Sequence, residues 1–351
     1  CDLLGFYVMS ESQTSNSICL LRLSEIGDSC HAVALVQHIQ KHWPNTKITW
    51  VIGKIEAQLI SAILPTVKLV IFDKKQGRAA FKQLRQQMHG QKFDVLLHLQ
   101  ANMRANLVSL FIPAKKKIGF GYQRARELQW LFTHVKSPVG SGIHVAEGFM
   151  DFAPALGLPA AKPTWDVSAP EKDLQWAKQH LDERPLFILC PSASKPERNW
   201  TTEGYVQLIE YIHQQGMKII LIGSPAPNEI ELAQEIINLT SRVDANLVGK
   251  TTLSQLLALL QCARLVVAPD TGPAHMATMV GTPVIGLYAA QTPLRTGPYN
   301  DLDKVISVYD EALFAETGKT VDQVNWRTRV KDKMAMKRIT IDQVIAKTKA
   351  I

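Results

Sequence analysis

From Ser17 onward the chain alternates short apolar runs with longer amphipathic segments. In the first half the pattern predicts strands over Ile18–Leu23, Ile48–Ile52, Lys68–Phe72, Phe93–Leu99 and Lys117–Phe120. Helices are predicted between them, over His31–Trp43, Ile55–Leu64, Arg78–Met88 and Met103–Ile112. Such alternation implies βαβ units and a parallel sheet, because parallel neighbours need a crossover. A proline-rich stretch at Leu158–Pro170 interrupts the pattern, which then restarts. Strands are predicted over Leu186–Cys190, Lys218–Ile222, Leu265–Ala268 and Val284–Tyr288, with helices over Thr202–Gln215, Asn228–Thr240, Leu253–Cys262 and Pro273–Val280. The reading is therefore α/β, with two Rossmann-like domains whose parallel sheets face a central cleft. Residues 1–17 are expected to be a disordered lead, 18–160 the first domain, 161–184 the linker and 185–303 the second domain. Residues 304–351 form a tail with a helix over Thr340–Lys349, expected to pack back on the first domain. The opening residues before Met9 read either as an upstream addition or as the start of a mature lipoprotein at Cys1.

Composition supports this picture. A chain of 351 residues exceeds what one core usually fills, and 46% hydrophobic with 20% charged residues argues against wholesale disorder. Lys and Arg number 39 against 31 Asp and Glu, a net charge of +8, but the densest basic run is only Lys115-Lys116-Lys117. That spread excludes a dedicated nucleic-acid binder and suits phosphate-rich or anionic-membrane partners. The five cysteines are scattered, without metal-ligand spacing, and are expected to be reduced, mostly buried thiols of a cytoplasmic protein. No apolar run reaches the roughly 18–20 residues that cross a bilayer.

Ligands of open α/β sheets bind beyond the carboxyl ends of the strands, so the loops there carry the chemistry. In Pro269-Asp270-Thr271-Gly272-Pro273-Ala274-His275 an acidic residue ends a buried strand and a proline opens a helix. The free N–H groups of that first turn suit phosphate or sugar oxygens, and Asp270 suits a sugar diol. A purely capping Asp270 or Thr271 and a packed His275 are the plainer alternatives. The loop Pro191–Trp200 offers Ser194, Lys195 and Arg198 to a pyrophosphate. Asp28, in the turn Ser24–Ser29, is either a helix cap or a general base on an incoming hydroxyl. Glu229, with Glu231 as the other choice, is placed to hold a ribose diol or simply to favour a helix N-terminus. Asp301-Leu302-Asp303 has the form of a metal-binding Asp-x-Asp, but it lies past the last predicted core strand, and no metal is expected. There is no P-loop, no GxGxxG turn, no nucleophile elbow and no zinc-type histidine pair.

Taken together, Ser24-Glu-Ile-Gly-Asp28, Arg198-Asn-Trp200, Pro269-Asp-Thr-Gly-Pro-Ala-His-Met-Ala, Gly281-Thr-Pro-Val-Ile-Gly-Leu-Tyr and Trp326-Arg-Thr-Arg resemble glycosyltransferase family 9. These are the heptosyltransferases of lipopolysaccharide core assembly. The resemblance implies a GT-B fold and an inverting, metal-independent transfer from a nucleotide sugar such as ADP-heptose to a Kdo/heptose acceptor, without a cofactor. It implies Asp28 as catalytic base. Ser194, Lys195, Arg198, Glu229, Asp270, Thr271, Gly272 and His275 would hold the donor, and Arg104 and Arg126 would face the anionic acceptor. The implied location is cytoplasmic and peripheral on an anionic inner membrane. A nucleotide-sugar 2-epimerase of the same fold, or a family 9 enzyme with another donor sugar, is the alternative.

Overall fold

The computed structural model describes residues 15–138, 140 and 142–351, which fall into two compact units. The first runs through Gly142 and resumes over Ala146–Trp165; the second takes Ile143–Val145 and Asp166–Ile351.

The first unit holds β1 (Ser17–Arg22), α1 (Ile26–His42), β2 (Lys47–Ile52), α2 (Lys54–Ile63), β3 (Lys68–Ile71) and α3 (Arg78–Met88). It continues with β4 (Phe93–His98), α4 (Met103–Ser109), β5 (Ala114–Gly119), β6 (Val135–Lys136), α5 (Val145–Met150) and α6 (Phe152–Leu156). Its six strands are parallel in the order β3-β2-β1-β4-β5-β6. Ile18–Leu21 of β1 are wholly buried, as a central strand covered on both faces requires. Each such side chain contributes about 1.5–3 kcal/mol.

The second unit opens with α7 (Glu171–Lys178), β7 (Leu186–Leu189), α8 (Thr202–Gln214), β8 (Lys218–Leu221), α9 (Pro227–Leu239), β9 (Ala245–Asn246) and α10 (Leu253–Cys262). It goes on through β10 (Leu265–Pro269), α11 (Gly272–Met279), β11 (Val284–Tyr288), α12 (Pro293–Thr296), β12 (Ile306–Ser307), α13 (Tyr309–Thr317) and α14 (Ile341–Lys349). These six strands are also parallel, in the order β12-β11-β10-β7-β8-β9. Read from the other edge, this is the order of the first sheet. In each, chain direction across the sheet reverses between the first and fourth strands of the unit, where open sheets bind their ligands.

The predicted strands and helices are present, and the differences are instructive. α1 begins at Ile26, five residues before the predicted His31, so Asp28 lies inside its first turn. The strands β6, β9 and β12 have two residues each, too few to show a period. The span 161–184 is not all linker, because α7 packs on α10 within the second unit, and Ser254 Oγ donates to Asp173 Oδ2 at 2.7 Å. The tail, expected to pack on the first domain, is part of the second unit. It supplies β12 to the second sheet, and α14 packs on α8 of the same unit. Its apolar residues, Ile306, Val330, Met336, Ile339 and Val344, belong to that unit's core, which reaches past residue 303. Of the expected lead, residues 1–14 lie outside the described residues, and Asn16 and Ser17 donate their N–H groups to Asp94. Cys19, Cys30 and Cys190 are buried free thiols and Cys262 is partly buried; Cys1 lies outside the described residues.

Candidate active site

In the second unit the loops after β7 and β10 flank the reversal point, and one ion pair joins them. Arg198 Nη1 lies 2.8 Å from Asp270 Oδ2 and 3.3 Å from the Asp270 carbonyl. Both side chains are largely buried, at 16% and 11% exposed, so this pair is shielded from solvent screening. Gln291 Nε2 also donates to Asp270 Oδ2, while the Tyr288 hydroxyl stands 3.4 Å from Oδ1 and bonds the Thr296 carbonyl at 2.9 Å. Burial, and then the Asp270 charge, push the Tyr288 phenol well above its ordinary value. His275 Nε2 approaches Asp270 Oδ1 at 3.8 Å. Arg198, Asp270, Tyr288, Gln291 and Met336 line a small pocket in this unit.

The sequence explains why these loops hold their shape. Trp200 is buried, donates Nε1–H to the Ile339 carbonyl at 2.9 Å and meets Tyr205 edge-on. A Cβ at residue 204 would fall 2.6 Å from the Trp200 ring, so only Gly204 admits it. Asn199 Oδ1 accepts from Ala193 N at 2.8 Å and closes the loop that carries Arg198. Gly281, at φ +77°, ends α11 in the left-handed region. Gly286 leaves room for the Tyr288 ring, which a Cβ would meet at 2.8 Å.

Glu229 sits in the first turn of α9 and is buried. It accepts from Ser192 Oγ at 3.0 Å, Ser224 N at 2.8 Å and Ser224 Oγ at 2.6 Å. Glu231 is exposed and is not part of this cluster. Ser194 and Lys195 are exposed on the β7 loop. Thr271 is the N-cap of α11, but its side chain makes no capping bond, and Gly272 and Pro273 open the helix. Asp301 accepts from Lys304 Nζ at 2.8 Å and from Val284 N at 3.2 Å, so its carboxylate serves the fold of this loop. Among the described residues no group of three or more His, Cys, Asp or Glu could hold a metal ion.

In the first unit Asp28 sits at the reversal between β1 and β4. Its N-cap is Glu25, which makes no side-chain cap, so Asp28 is not capping α1. Instead its Oδ2 pairs with Arg22 Nη2, from the end of β1. Arg22 is anchored by Nη1 to the Leu99 carbonyl at 2.8 Å and by its guanidinium 5.5 Å from the Phe149 ring centre. Burial lowers the Arg22 guanidinium to about 10, against the opposite pull of Glu25 and Glu56. Its side chain is 11% exposed, whereas Asp28 is 31% exposed and reachable. Gln100, after β4, accepts from Leu23 N and donates to Ser24 Oγ, which fixes the turn before Asp28. Arg104 and Arg126 are both exposed, on α4 and on the loop after β5. The sequence does not single out Arg22, Gln100, Ser192, Ser224, Tyr288 or Gln291; the one signal for Arg22 is a lone cation in the apolar run Ile-Cys-Leu-Leu-Arg-Leu.

Residues 81–325 match the model of Glycosyltransferase family 9 (heptosyltransferase). The chain is 43% identical over 341 residues to lipopolysaccharide core heptosyltransferase OpsX of Haemophilus influenzae, covering 97% of this chain and 98% of that protein. The fold is similar to that of a family 9 glycosyl transferase from Veillonella parvula, with a TM-score of 0.77 at 20% identity over 95% of this chain and 96% of the other. It is also similar to E. coli ADP-heptose lps heptosyltransferase II, with a TM-score of 0.72 at 20% identity over 95% and 98%. The two Rossmann-like sheets are thus of GT-B type, and the chain belongs to glycosyltransferase family 9, the heptosyltransferases.

Proposed function

We propose that the chain transfers heptose from ADP-heptose to a lipopolysaccharide core acceptor, in one inverting displacement. What carries this reading is the buried Arg198–Asp270 pair at the reversal point of the second sheet, in a full-length relative of a lipopolysaccharide core heptosyltransferase. Asp270 holds the donor sugar through its hydroxyls. Both bonds of Arg198 to Asp270 use Nη1, which leaves Nε and Nη2 for pyrophosphate oxygens. Lys195, Ser194 and the first-turn N–H groups of α11, from Thr271 and Gly272 onward, meet the same oxygens, and His275 steadies Asp270. Glu229 spends Oε1 on only one donor, Ser224 Oγ, and its remaining acceptor capacity suits a ribose hydroxyl.

On the first unit Asp28 takes the proton of the acceptor hydroxyl as it attacks the anomeric carbon, and the ADP pyrophosphate leaves with the C–O bond electrons. Arg22 holds the carboxylate oriented for that step. The growing charge on the leaving group is met by Arg198 and Lys195. Arg104 and Arg126 attract the anionic acceptor. No helix among the described residues is long and apolar enough to cross a membrane. The +8 charge supports peripheral work at the anionic cytoplasmic face of the inner membrane.

The test incubates the protein with ADP-heptose and a Kdo-bearing lipid A acceptor and follows mass and nucleotide. Gain of one heptose by the acceptor with release of ADP is expected. Conversion of the nucleotide sugar without acceptor would overturn transfer in favour of epimerisation. A thermal shift with UDP- or GDP-sugars but not ADP-heptose would overturn the donor.

A further inference from the structure

Helix α4 is apolar on its outer face as well as its inner one. Its buried positions are Ala105, Asn106, Val108 and Ser109, two of them polar, while Met103, Leu107 and Leu110 project into solvent. Their spacing of four and then three residues makes one continuous stripe. Beside it lies the loop after β5, tied to α4 by Asn106 Nδ2 donating to the Glu127 carbonyl at 2.7 Å and by the Glu127 carboxylate accepting from Met103 N. In this loop Gln129 points inward, bonding the His98 carbonyl at 2.8 Å and Phe120 N at 3.2 Å. Its neighbours Leu128, Trp130 and Leu131 are 49%, 47% and 60% exposed. Glu127 and Leu128 sit at φ +47° and +61°, a region that side-chain-bearing residues rarely adopt. Tyr122, farther along, is exposed and carries Lys136 Nζ 3.4 Å over its ring. Arg104 and Arg126 are exposed beside these apolar residues, Lys136 is half-buried against Tyr122, and Glu127 is spent on Met103 N.

A soluble protein seldom leaves so many large apolar side chains together in water without a use for them. We infer that this surface docks on an anionic lipid bilayer, with Leu128, Trp130, Leu131, Leu107 and Leu110 entering the interface and the cations meeting headgroup phosphates. A helix and a turn form it, and the indole is at home at the boundary of lipid and water. A second copy of the chain is the poorer fit, because a two-fold interface would set the same cations against one another. The inference rests on the reading that the acceptor is lipid-anchored, since a surface-bound enzyme then meets its substrate within one leaflet.

The experiment is co-sedimentation with vesicles of phosphatidylcholine, alone or with roughly a third phosphatidylglycerol, at low and high salt. Binding is expected only with the anionic lipid, falling about fivefold for each cation contact screened. The double variant Trp130→Ser/Leu131→Ser, and independently Leu107→Ser/Leu110→Ser, should each lower partitioning about tenfold or more, with circular dichroism unchanged. Both should still transfer heptose to a water-soluble, deacylated acceptor as the parent protein does. Equal vesicle binding by parent and variants would overturn the inference, as would a dimer of the parent that the variants dissolve. Absence of any heptose transfer, with vesicle binding intact, would instead sink the proposed reaction and leave this surface standing.

Discussion

Removing Arg198 separates what the Arg198–Asp270 pair does for the fold from the donor role proposed for it. In Arg198→Ala a carboxylate that is 11% exposed loses its counter-ion, a change that typically costs 3–5 kcal/mol. Asp270 keeps Gln291, Tyr288 and His275 as neighbours, so the low end, about 3 kcal/mol, is expected. At about 2–4 °C per kcal/mol, the melting transition of the second unit should fall by about 6–12 °C. Arg198→Ala/Asp270→Asn has no stranded charge and should recover about 2 kcal/mol of that loss. Affinity for ADP should behave otherwise. Losing one charge-assisted contact to phosphate removes about 1.5–3 kcal/mol, on the order of 10- to 100-fold in Kd, and the second change should not restore it. Calorimetry reads both quantities, by thermal unfolding and by ADP titration. If the double variant melts no higher than Arg198→Ala, the pair is not the buried contact described. If Arg198→Ala binds ADP as the parent does, its guanidinium does not face the pyrophosphate.

Further expectations concern both units. Asp28→Ala should lower transfer by about 10²–10⁴-fold while ADP binding, measured by titration, stays within about twofold; near-normal turnover would remove Asp28 from the reaction. Glu229→Ala strands Ser192 and Ser224 and should weaken ADP while leaving inorganic pyrophosphate binding unchanged, whereas equal loss of both ligands would deny it a ribose role. His98 is wholly buried at the end of β4, and burial holds its imidazole down at about 3, below the ordinary 6.5. The unfolded chain therefore takes up this proton first, so stability present above pH 6.5 drains away as pH falls toward 3. Between pH 7 and 5 the loss should be about 2 kcal/mol. Denaturant unfolding of His98→Phe at the two pH values should show a smaller drop than the parent; an equal drop would refute the assignment.

Long buried strands such as β1 and β7 were legible because a parallel sheet covered on both faces needs uninterrupted apolar runs. The loops bearing Asp28, Arg198 and Asp270 were legible for the same reason, since each follows such a run. What was missed lacked a period or a local cue. β6, β9 and β12 are too short to alternate, and α7 is so polar (Glu-Lys-Asp-Leu-Gln-Trp-Ala-Lys) that it passes for linker. The start of α1 lies earlier than the pattern suggests because Ser24–Ser29 carries turn residues, although its Gly27 and Asp28 lie within the helix. Tyr288 and Gln291 reach Asp270 from a different strand and loop, a meeting that only the folded sheet creates. The outward Leu107 and Leu110 carry no local cue, since the same apolar residues would equally suit a buried face.

Met336 lines the pocket beside Asp270, and the Ile339 carbonyl receives the Trp200 indole N–H. During synthesis, then, every strand of the second sheet is made before the wall of that pocket exists. A nascent chain that has emerged only as far as residue 330 has the nucleotide-type sheet but an unfinished cradle, with Trp200 missing its acceptor. Competence to grip a donor should arrive late and abruptly, with the emergence of residues 335–344. Shortening this end should remove the Met336 wall and the Trp200 acceptor together.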